Sequence, residues 1–190
     1  MTFFEYMMVM VSLIMALALS HLMRASSDIL TGPKRYWVHT VWVFIFILWV
    51  LQGWWALWDQ RTVSEWNLLR YLVMFLFPLL LFVVASILVP SVRSESTDWK
   101  AHFDEKRIWF FSAAIIIMVE SIATPILVFD APVLHPFRVF QLMMISVLIV
   151  GVMGKSQRTQ GVVATLYLLL FLFGNYWGRL QLGGLATVSQ

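Results

Sequence analysis

Cysteine is absent from all 190 residues. Without it there is no disulfide framework, no thiol redox relay, and no zinc or iron–sulfur site with thiolate ligands. Charge is also scarce: Asp, Glu, Lys and Arg make up 12% of the chain, about half the share of a soluble domain. The basic residues are spread over several loops and form no dense arm, so nucleic acid is not an expected partner. No Lys falls inside an apolar run, which excludes a retinal Schiff base. No H-E-x-x-H, G-x-S-x-G or P-loop spacing occurs, and an enzyme is not the expected class. The strict alternation of an outer-membrane barrel strand is missing too.

What remains is apolar. Hydrophobic residues make up 61% of the chain and the mean hydropathy is +0.84. A core this small cannot bury that excess, so lipid must solvate much of it. Runs of membrane-spanning length predict an all-α, polytopic bundle of about six spans, at 5–23, 37–58, 67–89, 108–129, 137–153 and 161–180. Short connections imply antiparallel neighbours in one transmembrane domain. The region before the first run holds Glu5 and no Lys or Arg, unlike a signal peptide, so that run is read as a retained helix.

Arg24, Lys34, Arg35, Arg93, Lys100, Lys106, Arg107, Lys155 and Arg158 fall in alternate loops. The other side has only Arg61, Arg70, Arg138 and Arg179. The positive-inside rule then places the first, third and fifth loops in the cytoplasm and both termini outside. The third loop, 90–107, reads as a short amphipathic helix on the cytoplasmic leaflet or as a charged linker, with Thr97 as N-cap and Trp99 and Phe103 one turn apart.

Polar residues inside the apolar runs are the candidates for function. Glu120 stands in the middle of the fourth span, where a carboxyl is costly unless paired, protonated or facing a wet cavity. Ala113 and Thr124 share its helix face. Gln52, Arg70, Gln141, Asn175 and Arg179 lie at similar depth, as do Glu5, Asp59 and Arg138, and together they suggest a polar pocket open to the outside. The competing readings are a protonated Glu120 that hydrogen-bonds a neighbouring helix, and arginines that snorkel to headgroups. Pro78 and Pro125 kink their helices and free carbonyls that either bind ions or shape the bundle.

Other features remain. His21 and His39 sit at one depth on neighbouring helices, so haem held through them is an alternative; otherwise no cofactor is expected. Gly174 and Gly178 form a GxxxG, a close crossing for another helix, a second copy or a partner subunit. The stretch 71–78 echoes 167–174, as inverted repeats of three helices would.

Several segments taken together carry a resemblance: Ser20-His21-Leu22-Met23-Arg24, Tyr36-Trp37-Val38-His39, Gln52-Gly53-Trp54-Trp55-Ala56-Leu57-Trp58 and Lys106-Arg107-Ile108-Trp109-Phe110-Phe111. The chain resembles a group of small bacterial six-helix membrane proteins over about its first two-thirds. The resemblance implies a bacterial inner-membrane setting and a single bundle, and it carries no activity. Three expectations stand: transport or sensing of a small polar or charged solute at a site centred on Glu120; a redox subunit with haem on His21 and His39; or an accessory subunit that only packs against partners.

Overall fold

A computed structural model describes the backbone of residues 3–63, 65–90, 97–129 and 131–185, and the side chains of these apart from 3, 59, 62 and 177–185. The regular structure among the described residues is all helical, with no strand. The helices are α1 (Phe3–Arg24), the short α2 (Ser26–Thr31), α3 (Trp37–Leu57), α4 (Leu68–Leu88), α5 (Trp99–Phe129), α6 (Phe137–Met153) and α7 (Gln157–Leu185), with a 3-10 turn at Trp58–Thr62.

Local chemistry sets several helix starts. The Asn67 side chain accepts the Arg70 N–H at 2.9 Å and caps α4. Asp98 does the same for α5, accepting the Ala101 N–H at 2.9 Å, and Ser156 for α7, accepting the Thr159 N–H at 3.0 Å. The α5 cap is therefore Asp98, one residue beyond the Thr97 expected from the sequence.

Five helices are long and apolar enough to cross a membrane; α6, with 17 residues, is shorter. At 1.5 Å per residue α6 spans about 25 Å, against a hydrocarbon layer of about 30 Å. No candidate span has more than 39% of its best apolar window buried inside the molecule. The rest of each window faces outward and is rich in Leu, Val, Ile, Met and aromatic side chains, a surface suited to lipid and not to water.

Helices α1, α4, α5, α6 and α7 pack in that order as an arc, and α3 lies inside it against α1, α4, α5 and α7. A helix in that position must be apolar all round. The buried residues of α3, among them Trp42, Val43, Ile45, Phe46 and Trp49, accordingly occupy successive turns and several faces. Trp42 is the aromatic hub, with ring centroids 5.0 Å from Phe110, 5.3 Å from Phe111 and 5.1 Å from Tyr167. Only α6 lacks an extended contact with α3, and a cavity fills the space between them.

Two expectations change at this level. The segment after Asp98 is helical, but it continues without a break into α5 instead of lying apart as a surface helix. Its apolar residues are the reason: Trp99 stacks on His39 at 4.9 Å and Phe103 packs on Tyr36 at 5.8 Å, so both are buried against the α3 end. The inverted repeat does not hold. Helix α1 packs along α4, whereas their counterparts α5 and α7 meet only through side chains such as Tyr167 Oη and Met118 Sδ, 3.7 Å apart. Tyr71 is half-exposed beside Phe75, while Tyr167 is buried against Trp42, so the matched segments occupy unlike environments.

A candidate ligand cavity beside Glu120

Most polar side chains in the bundle serve helix ends. The last turn of a helix leaves carbonyls without main-chain donors, and a cationic or N–H donor placed there also suits the helix dipole. At the end of the bundle that holds most of the basic residues, the C-terminus of α4 receives three histidines from three helices. His21 of α1 donates Nε2 to Val89 O at 2.7 Å, and His39 of α3 donates to Leu88 O at 2.9 Å. His102 of α5 shares its Nε2–H between Ile87 O at 3.0 Å and Leu88 O at 3.1 Å. The C-terminus of α6, at the same end, is held by Arg107 of α5 and Gln160 of α7. Arg107 Nη1 donates to Gly151 O at 3.2 Å, to Val152 O at 3.0 Å and to Gly154 O. Gln160 Nε2 donates to Gly151 O at 2.9 Å and Gly154 O at 2.6 Å.

His21 and His39, the pair considered for haem, thus direct the same ring nitrogen at main-chain oxygens. His39 also lies stacked under Trp99. Among the described residues no group of three His, Asp or Glu stands where it could hold a metal ion.

At the opposite end the arginines serve α5. Arg70 Nε donates to Val128 O at 3.2 Å and its Nη1 to Glu65 O at 2.6 Å, with the guanidinium 5.9 Å from the Phe129 ring. Arg138 donates to Ile122 O at 3.3 Å and Pro132 O at 3.1 Å. Proline explains why α5 needs help here. Pro125 has no N–H, so Ser121 O loses its usual partner four residues on. Gln141 of α6 supplies one: its Nε2 reaches Ser121 O at 3.4 Å and Ser121 Oγ at 3.1 Å. The Ser121 and Ile122 carbonyls, one turn before Pro125, are thus engaged by α6.

The cavity lies between α3 and α6, with α4, α5 and α7 completing the wall, and has a volume of about 290 Å³. It runs from mid-bundle, at Trp49, Met118 and Leu170, to the opposite end, at Gln60, Phe129 and Phe137. Four of the residues proposed from the sequence line it: Glu120, Gln52, Gln141 and Asn175. Arg70 does not, because its guanidinium is turned to the α5 C-terminus. The Arg179 and Asp59 side chains lie outside the described residues. Glu5 is on an exposed face of α1, which contributes nothing to the cavity wall.

Glu120 is half-buried, and Thr124, one turn on, donates its hydroxyl to Oε1 at 2.8 Å. Of the described residues lining the cavity, Glu120 alone is ionisable. No Lys, Arg or His among the described residues forms an ion pair with it, and Arg70 and Arg138 direct their guanidinium groups at main-chain oxygens instead. The other polar groups are already engaged on one side. Ser121 Oγ donates to Met118 O at 2.8 Å, and Asn175 Nδ2 donates to Phe171 O at 2.8 Å.

The remaining wall is apolar and aromatic, with Trp49, Phe77, Phe129, Phe137, Phe140 and Phe171 prominent. Sequence reasoning did not single these out, since an aromatic residue in an apolar run carries no sign of which way it faces. Gly174 also lines the cavity, and a Cβ there would meet Phe137 at 3.6 Å and Phe140 at 4.0 Å. It therefore accommodates α6 of its own chain. The side of Gly178 lies outside the described residues.

No protein-family model, no curated protein and no solved structure matches this chain.

Proposed function

We propose that the chain is a six-span protein of the bacterial cytoplasmic membrane, with both termini outside, that transports or senses a small solute bound in the cavity beside Glu120. The observation that carries this reading is one ionisable side chain, alone of its kind among the described residues, lining a five-helix cavity that extends to one end of the bundle. An ionisable group held in such a place is maintained against the cost of desolvation, and function is its ordinary reason. Hydrogen bonds to main-chain oxygens account for Arg70, Arg138, Arg107 and the three histidines, and they leave Glu120 unaccounted for. Proton-coupled exchange at its carboxyl is the mechanism that fits transport; coupling of occupancy to the α5 kink is the one that fits sensing.

The test is chemical labelling. A carbodiimide added to the folded protein in lipid nanodiscs modifies Glu120, as read by mass spectrometry of the α5 peptide. A Glu120→Gln variant folds with the same thermal midpoint and loses that label. Modification only after unfolding would mean a sealed carboxyl, and the packing-subunit reading would replace this one.

A further inference from the structure

Among the described residues the cavity wall carries one sign of charge. Its ionisable group is an acid, and no described cation is paired with it. The neighbouring polar side chains use donors within the protein: Thr124 toward Glu120, Ser121 toward Met118 O, Gln141 toward Ser121 and Asn175 toward Phe171 O. The Glu120 carboxyl keeps acceptor capacity for a guest, and a charged acceptor calls for an N–H donor or a positive centre; Gln52 and Gln60, on the same wall, carry amides that both donate and accept. The aromatic rings add to this, because their faces attract a cation within about 6 Å. Trp49, Phe129 and Phe140 provide such rings along the cavity wall.

Size narrows the class. At about 30 Å³ per water-sized unit, a 290 Å³ cavity holds a guest of about ten non-hydrogen atoms. An inorganic cation would leave most of that apolar space empty, whereas an organic body fills it.

Resting on the cavity reading above, we propose that the guest is a small organic cation: an amine or quaternary ammonium, carried on a compact apolar body, with its positive centre at Glu120 and its body against the aromatic wall. A carboxylate in an apolar cavity is costly when unpaired, and the guest's charge removes that cost on binding. A neutral guest leaves the cost in place, and an anion raises it.

The experiment uses three ligands with the same ring and different charge, titrated calorimetrically into the full chain in nanodiscs: benzyltrimethylammonium, benzyl alcohol and phenylacetate. The cation binds at least about tenfold more tightly than the alcohol, by about 1.4 kcal/mol, and phenylacetate gives no binding. Glu120→Gln lowers the cation affinity about tenfold or more and leaves the alcohol unchanged. Should that variant fail to fold, protection decides the matter on the unaltered chain: benzyltrimethylammonium slows carbodiimide labelling of Glu120 and phenylacetate does not. Equal binding of alcohol and cation, or protection by phenylacetate, overturns the cation class and leaves the cavity reading intact. No binding of any of the three overturns the cation class alone if Glu120 still reacts with carbodiimide, and both readings if it does not.

Discussion

Arg107 shows how much one buried side chain carries. It is the only described side-chain donor to Val152 O, and it shares Gly151 O and Gly154 O with Gln160. Removing it strands one carbonyl and weakens two more, next to the apolar layer where water is scarce. Arg107→Ala is therefore expected to lower stability by about 3 kcal/mol, and Gln160→Ala by about 1 kcal/mol, because Arg107 still reaches both shared oxygens. Thermal unfolding in detergent measures both, and equal losses would remove the distinction. The sequence made these residues visible as polar but hid their partners. A main-chain carbonyl at a helix end has the same chemistry in every residue, so nothing in the letters marks it as the acceptor. Glu120 was legible for the opposite reason: an acid in the middle of Ile115–Pro125 stands out against its neighbours whatever it touches.

The helices themselves were readable from run length, since a long apolar stretch has few other options. Their contacts were not, and glycine illustrates this. Gly151 lets α6 lie close to α5, where a Cβ would come within 2.5 Å of the Phe111 ring. That ring is fully buried and packed against Trp42 and Phe110, which limits how far it can yield. Gly151→Ala should cost about 1–3 kcal/mol through overpacking. Gly174→Ala places its Cβ no closer than 3.6 Å to Phe137, and the change should stay within about 0.5 kcal/mol. Unfolding midpoints of the two variants compare them directly, and a larger loss at Gly174 would contradict this packing. The start of α5 was obscured by its own composition. Asp98, Lys100, Asp104, Glu105 and Lys106 read as a solvated linker, and only burial of Trp99 and Phe103 against α3 makes the stretch continuous with the span.

For the molecule as a whole, the absence of cysteine becomes an advantage: a single introduced thiol reports on one place. Lys155→Cys lies at the basic end and Val133→Cys at the other, and both sites are exposed. In intact cells a membrane-impermeant maleimide should label Val133→Cys at once and Lys155→Cys only after permeabilisation, as the charge bias of the loops requires. The reverse pattern would invert the orientation and with it the side on which the cavity opens. Overall fold class and the acid at the centre of the site were accessible from periodicity and charge. The ring of aromatics and the offset of α6 from α3 depend on how six helices settle together, which no local pattern records.

The three imidazoles on the α4 C-terminus also impose an order on biosynthesis. His21 and His39 leave the ribosome long before their acceptors Val89 and Leu88, and His102 follows after them. Helices α1 and α3 therefore wait in the bilayer with unclosed polar contacts until α4 is threaded, and the joint is completed only when α5 begins to emerge. A nascent chain that has emerged from the tunnel only as far as residue 101 has an N-terminal half that is inserted but not yet locked. The earliest nascent chain with a closed joint at this end is the one in which His102 has cleared the exit tunnel.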